Sequence, residues 1–342
     1  MFSKNEFFDV LSLHKPKIGK RISGDFTHFE IIEKESLIVC ALADGVSTRK
    51  DDWLASKTAC ESVIEYIKSH NEDIRTRIEN AAEYANNQVK DPNDTNAGMA
   101  CAMAVIIWNY NTNIFHYVNV GDTRVHIVKS KNILRLTEDD TVPVQIFHAG
   151  KPVLVNGAPV FESAIGKIIG QPTNLDIDVF TQVFNEGESI VLSSDGIHKK
   201  SGLPSDIFNA ISSDNISKSL NTFIDECIDY IEDDASVIIV RRNDFKQNDV
   251  DMFDKILNDE IDFEQSQLSA HIFQNFLLEK IRNAILEKNI ENLENYLKMI
   301  LNNSLGVNRD KMIDLFNNYC KLKINNMDLH TLFTSVIRKS DI

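Results

Sequence analysis

The sequence predicts an α+β domain followed by a small all-α domain. Three observations lead there. Continuous apolar runs rich in β-branched residues recur over the first two-thirds of the chain, several of them meeting an aspartate at one end. Between them lie stretches whose apolar residues repeat at helical spacing. Beyond about Phe245 the strand-like runs stop, and Asn-, Leu- and Ile-rich helical stripes replace them.

Taken in order, SLIVCALADG (36–45) reads as a buried strand running into an Asp-Gly turn. DDWLASKTACESVIEYIK (51–68) reads as a helix with Trp53, Ser56, Cys60, Ile64 and Ile67 on one face and Asp52 as its N-cap. IRTRIENAAEYANNQ (74–88) is a second helix. AMAVIIW, FHYVNVGDTRVHIV and ILRLT are strand-like, and the runs flanking GDT predict a hairpin with Gly121 and Asp122 in its turn. Residues 139–179 hold Pro143, Pro152, Pro159 and Pro172, which predicts a long irregular loop of a kind that is usually functional. ESIVLSSDG is again a strand ending in Asp-Gly. Ile216, Leu220, Phe223, Ile224, Cys227, Ile228 and Ile231 fall at helix spacing, and DDASVIIVRR is a last buried strand.

The C-terminal part shows stripes at Phe273, Leu277, Ile281 and Ile285, at Leu293, Leu297, Ile300 and Leu301, at Met312, Leu315, Phe316 and Tyr319, and from Leu329 to Ile337. They predict a helical bundle, with domains at 1–245 and 246–342. The net charge of −15 disfavours nucleic acid and anionic lipid. The five cysteines, Cys40, Cys60, Cys101, Cys227 and Cys320, form no Cys-x-x-Cys pair, which suits a reducing compartment. No signal-like or membrane-length apolar run is present. These features predict a cytoplasmic protein with no membrane or nucleic-acid partner.

The chemistry-bearing pattern is acidic. Asp44-Gly45 and Asp195-Gly196 end apolar strands, Asp233-Asp234 precedes another, Asp122 lies between two, and Asp25 follows a short strand-like stretch. One Asp-Gly is an ordinary turn. Several at the ends of neighbouring strands bring carboxylates together, and such a cluster needs compensating cations. Oxygen-only ligands point to Mg²⁺ or Mn²⁺.

LADGVST, NAGMACAMAVIIW, VNVGDTRVHIV, LRLTEDDT, VLSSDGI and DDASVIIV, in this order over residues 15–243, resemble the protein phosphatase 2C family of metal-dependent Ser/Thr phosphatases. The resemblance implies a four-layer αββα sandwich of two antiparallel sheets flanked by helices, with two divalent cations, Mn²⁺ or Mg²⁺, at one end. It assigns Asp44 to bridge the cations, the Gly45 carbonyl to one of them, Asp195 and Asp233 as further ligands, and Asp25 to the site through metal-bound water. Asp122 matches a third, weaker metal site, and Asp234 sits beside the last ligand. The implied reaction is hydrolysis of phosphoserine or phosphothreonine in a protein by water activated between the cations. The phosphate-binding residue is Arg21, with Lys20 the alternative, because the family's Arg spacing falls on Lys20.

The chain departs from the family at Gly24, where many members carry an acid or amide, at Val46, where some carry His, and at Lys199, where many carry a further Asp. Residues 143–172 take the place of the family's variable flap. His198 is given no role. A pseudophosphatase acting as a binding module and a small-molecule phosphatase are the alternative functions. The helical C-terminal domain is expected either to support the catalytic domain or to recruit a partner, such as the substrate or a cognate Ser/Thr kinase.

Overall fold

The computed structural model describes residues 2–4, 8–90 and 98–242, except 111, 130–131, 149–150, 156–157, 186, 200–202, 212, 214–215 and 232, together with single positions between 254 and 296. The chain divides into two compact units, Met1–Asn243 and Asp244–Ile342. In the second unit the described positions are helical, with Leu277 and Ala284 buried. The stripes predicted over 293–337 lie outside the described residues, as does Cys320.

In chain order the first unit runs β1 (Phe2–Lys4), β2 (Phe8–Lys15), β3 (Asp25–Ile32), β4 (Leu37–Gly45), α1 (Asp52–Ser69), α2 (Ile74–Val89), β5 (Cys101–Asn109), β6 (Ile114–Val120), β7 (Arg124–Lys129) and β8 (Asn132–Arg135). It continues with β9 (Thr141–Gln145), β10 (Phe147–His148), β11 (Lys151–Pro152), β12 (Leu154–Val155), β13 (Ala158–Pro159), β14 (Phe161–Ile165), β15 (Phe180–Val183), β16 (Glu188–Ser193), α3 (Asp195–His198), α4 (Leu203–Ile211), α5 (Ile216–Ile231) and β17 (Ala235–Arg242). One sheet has the order β1-β2-β17-β16-β7-β8 and the other β15-β6-β5-β4-β3. The strand pairs in both are antiparallel.

The two-residue period of a strand explains the layering. On β4, Ile38, Cys40 and Leu42 face Ala104, Ile106 and Trp108 of β5's same side, together with Ile190, Leu192, Ile238 and Val240 from the other sheet. The alternate residues Val39, Ala41 and Ala43 pack on Ala55, Ala59 and Val63 of α1 and on α2. In the other sheet, Leu11, Val191, Val237 and Ile239 pack on Ile207, Leu220 and Ile224 of α4 and α5. Both central strands are therefore covered on both faces, which is why they read as unbroken apolar runs. Each fully buried Val, Leu or Ile contributes roughly 1.5–3 kcal/mol. Cys40, Cys60, Cys101 and Cys227 are buried within this packing.

The helices are closed by specific contacts. The Asp73 carboxylate accepts the N–H groups of Arg75 and Thr76 at the start of α2. The buried Arg77 donates to the carbonyls of Ile67 and His70 at the end of α1 and pairs with Glu35 at 2.7 Å. Asp52 is not the N-cap of α1. It is the first helical residue, following Asp51 at φ +50°, and one of its oxygens is held by Lys20.

Two other expectations are corrected. The GDT segment is not a hairpin turn, because β6 belongs to one sheet and β7 to the other. Residues 121–123 are the crossover between the sheets, with Gly121 at φ +90°. The loop expected over 139–179 is irregular only in part: among the described residues β9 pairs with β14, β10 with β11 and β12 with β13, while 166–179 holds no strand beyond the bridge of Ile169 to Cys101. Pro143, Pro152 and Pro159 lie within these short, exposed strands, where a missing N–H is tolerated. Among the described residues no helix is long and apolar enough to cross a membrane.

His126 of β7 is buried, and its Nδ1 has no hydrogen-bond partner among the described residues. Burial, then the charges of Arg124 and Arg135, push it down to about 4, against the pull of a hydrogen bond with Val191 backbone and of Asp139. The unfolded chain takes up this proton below about pH 6.5, the folded chain only near pH 4. Stability therefore falls as the pH drops through that window, by at most about 3 kcal/mol from this residue. His126→Gln is expected to make the decline of Tm between pH 6.5 and 4 shallower. An unchanged slope would show that this proton is not linked to folding.

Candidate active site

The antiparallel register of β3 and β4 sets Asp25 directly opposite Asp44. Asp44 is in turn opposite Ala102 of β5. Gly121 rides against Ala102, since a Cβ on Gly121 would lie 2.6 Å from the Ala102 Cβ, and so the crossover delivers Asp122 to the same end of the sandwich. From the second sheet, Asp195 opens α3 one residue beyond β16, and Asp233-Asp234 immediately precedes β17. The two segments are stitched together. Ser194 N–H donates to the Ser236 carbonyl at 3.1 Å, and Ser236 N–H donates to Ser194 Oγ at 3.0 Å.

The backbones approach closely here. A Cβ on Gly45 would lie 2.4 Å from the Asp52 carbonyl oxygen and 2.7 Å from that of Gly24. Gly45 N–H donates to the Gly24 carbonyl, and Ser56 Oγ donates to the same oxygen at 2.5 Å. A Cβ on Gly196 would lie 1.9 Å from the Asp234 carbonyl oxygen. No side chain fits at either glycine.

The electrostatics follow from crowding. Asp25 is 3% exposed and its Oδ2 has no hydrogen-bond partner among the described residues. Burial pushes its carboxyl up to about 7, the hydroxyls of Ser194 and Ser236 pull the other way, and the charges of Asp234 and Asp195 add to the rise. Asp44 is raised well above the carboxylate range by burial, then by the charges of Asp25, Asp195 and Asp122. Burial and Asp195 raise Asp122 as well, while Lys199 opposes them.

Two lysines enter this cluster. Lys20 Nζ donates to Asp234 Oδ2 at 2.7 Å and to Asp52 Oδ2 at 2.9 Å. Asp234 Oδ2 also accepts the Gly24 N–H, and its Oδ1 accepts the Lys17 N–H. Asp234 is thus the tie between the N-terminal loop and β17. Lys199 Nζ lies 2.5 Å from Asp195 Oδ2. Of the residues picked out in the sequence, the fold gathers Asp25, Asp44, Gly45, Asp122 and Asp195 at one end. Asp233 is 44% exposed and faces Lys17 Nζ at 3.4 Å. Arg21 is exposed, whereas Lys20 turns inward. His198 is buried, with Nδ1 3.4 Å from Ser193 Oγ. Sequence reasoning missed Ser194, Ser236 and the ion-pair role of Asp52. The serines beside SDG and DDA were the available signal.

Among the described residues no three His, Cys, Asp or Glu side chains form a ready-made metal cage. The donor set still fits hard divalent cations: it offers only oxygens, and it leaves the Asp25 Oδ2 orphaned among neighbouring carboxylates.

Residues 22–234 match the model of the protein phosphatase 2C family. The chain belongs to this family. Among solved structures it is similar to the serine/threonine phosphatase PstP/Ppp of Mycobacterium tuberculosis, at 15% identity and TM-score 0.51, over 69% of this chain and 99% of that one. The S. agalactiae serine/threonine phosphatase gives 17% and 0.54 over 69% and 100%. The PPM Ser-Thr phosphatase MsPP of Mycobacterium smegmatis gives 17% and 0.55 over 68% and 98%. At these identities the likeness is one of fold. No curated protein sequence matches the chain.

Because the Asp234 carbonyl fills the space beside Gly196, Gly196→Ala is expected to destabilise this protein phosphatase 2C domain by about 3 kcal/mol. Thermal denaturation reads this directly. An unaltered Tm would mean that the contact between α3 and β17 yields without cost.

Proposed function

We propose that the chain is a metal-dependent phosphatase that hydrolyses phosphoserine or phosphothreonine in other proteins. The observation that carries the reading is the Asp25–Asp44 pair, Asp25 buried with one orphaned oxygen and Asp44 half-buried opposite it, at the sandwich end where Asp195 also arrives. Asp25, Asp44, the Gly45 carbonyl and Asp195 would hold the divalent cations, with Asp233 joining from the rim. Such cations, bound there, would supply a water activated for in-line attack and positive charge for the phosphoryl oxygens. The chain's own residues position the rest. Asp234 and Lys20 fix the loop bearing Gly24 against Asp52, so the Gly45 carbonyl cannot drift. Arg21, exposed on that loop, would grip the phosphate with a planar fork, with Lys20 the alternative.

With Mn²⁺ and a phosphothreonine peptide, phosphate release is expected from the wild type and lost by at least about a hundredfold in Asp44→Ala and Asp195→Ala, with both variants folded. Equal release in excess chelator would sink the metal mechanism. No release with any divalent cation, but retained phosphopeptide binding, would favour a binding module. Preference for nucleotides or sugar phosphates over peptides would favour a small-molecule phosphatase.

The family match ends at residue 234 while the chain continues to 342. We assign residues 246–342 to partner recruitment, of the phosphoprotein or of a Ser/Thr kinase. Truncation after Phe245 is expected to spare peptide hydrolysis and reduce hydrolysis of a protein substrate. Unfolding of the truncated chain would instead assign the segment to stability.

A further inference from the structure

Residues 10–24 carry Lys15, Lys17, Lys20 and Arg21 and no acidic residue, in a chain of net charge −15. Their centre is a tight turn. Lys20 N–H donates to the Lys17 carbonyl at 3.0 Å, and Gly19 sits at φ +84°, as the third residue of a type II turn must. The turn is pinned at its base. Asp234 accepts the N–H groups of Lys17 and Gly24 and, with Asp52, the Lys20 ammonium. Nothing lies within 4 Å of where a Gly19 Cβ would stand, so the crest is open.

Ile18 is 73% exposed on this pinned turn, the highest value for a large apolar side chain among the described residues, and Ile22 is 57% exposed. A single exposed isoleucine is ordinary. Here two of them flank Arg21, which is exposed and makes no ion pair among the described residues, and the segment runs on through Gly24 into the buried Asp25. Next to Asp52, Trp53 is exposed as well. Apolar surface already held in place gains on being covered and loses little freedom in the process.

We propose that the turn over residues 17–22 reads the substrate: its occupant is a phosphopeptide segment with a bulky apolar residue beside the phosphorylated serine or threonine, the phosphate meeting Arg21 and the apolar side chain covering Ile18 and Ile22. This role rests on the phosphatase reading above and names its substrate class. Charge fixes the occupant, because an exposed guanidinium between two isoleucines suits an anionic group with an apolar neighbour. A small phosphate ester reaches only the arginine. The isoleucines touch no reacting atom, so they set affinity and leave the chemical step alone.

The test compares two phosphothreonine peptides on the full chain, one with leucine and one with serine on both sides of the phosphothreonine. Turnover is measured with Mn²⁺, and binding by fluorescence anisotropy with Mn²⁺ and a non-hydrolysable phosphonate in place of the phosphate ester. The wild type should favour the leucine peptide by about tenfold in both Kd and KM, at equal kcat. Ile18→Ser with Ile22→Ser should abolish that difference and still hydrolyse a small aryl phosphate at the wild-type rate, while Ile18→Leu with Ile22→Leu should keep it. Both side chains are exposed, so Tm should not move. A wild type indifferent to leucine, or a serine double variant that still prefers it, would overturn the proposal and leave the phosphatase reading standing. Leucine-dependent binding that the serine variant loses, with no phosphate release from any ester, would keep the recognition turn and remove the phosphatase reading.

Discussion

Two carboxylates held opposite one another, Asp25 buried on β3 and Asp44 half-buried on β4, cannot both ionise without nearby positive charge. Strand register imposes this on Asp25 and Asp44. A slip of one residue would turn the apolar faces of β4 inside out, so the pair cannot relax by sliding. The surrounding polar groups are arranged around that constraint. Lys20 draws on Asp234 and Asp52, Lys199 draws on Asp195, and the central pair remains to be met from solution.

The cost of gathering like charges is offset by packing elsewhere. Central strands of both sheets bury side chains on both faces, against the opposite sheet on one side and helices on the other. That core can hold strained electrostatics at its end, because the strand ends are anchored by backbone contacts rather than by long side chains. Gly45 against Gly24 and Asp52, and Gly196 against Asp234, are contacts at distances that admit no side chain. The result is a site whose walls are main chain and whose adjustable parts are lysines.

The legible part of the fold was the part whose pattern does not depend on partner choice. β4, β5, β16 and β17 read as buried strands because both faces are apolar. The segments flanking Gly121 also read as strands, but nothing in a strand's own residues says whether it pairs with the next strand or crosses to another sheet. The flap read as a loop because its prolines forbid central strands, yet they are tolerated in short exposed ones. In the site, Asp44 and Asp195 were legible from the ends of strands, whereas Asp25, read as following a strand, instead opens β3. The choice between Lys20 and Arg21 for the inward position was not, because it is made by loop geometry around Gly24. Asp52 looked like a cap from its place before an apolar stripe, and only the fold reveals that Lys20 claims it.

Gly24 and Lys20 occupy one volume between them. A Cβ on Gly24 would lie 3.0 Å from the Lys20 ammonium and 2.9 Å from the Asp52 carboxylate that receives it. A side chain at position 24 would push these side-chain ends aside, and a shorter residue at position 20 would leave Asp234 and Asp52 without the ammonium between them. A change at either position is therefore felt at the other, since both draw on the same volume between Asp52 and Asp234.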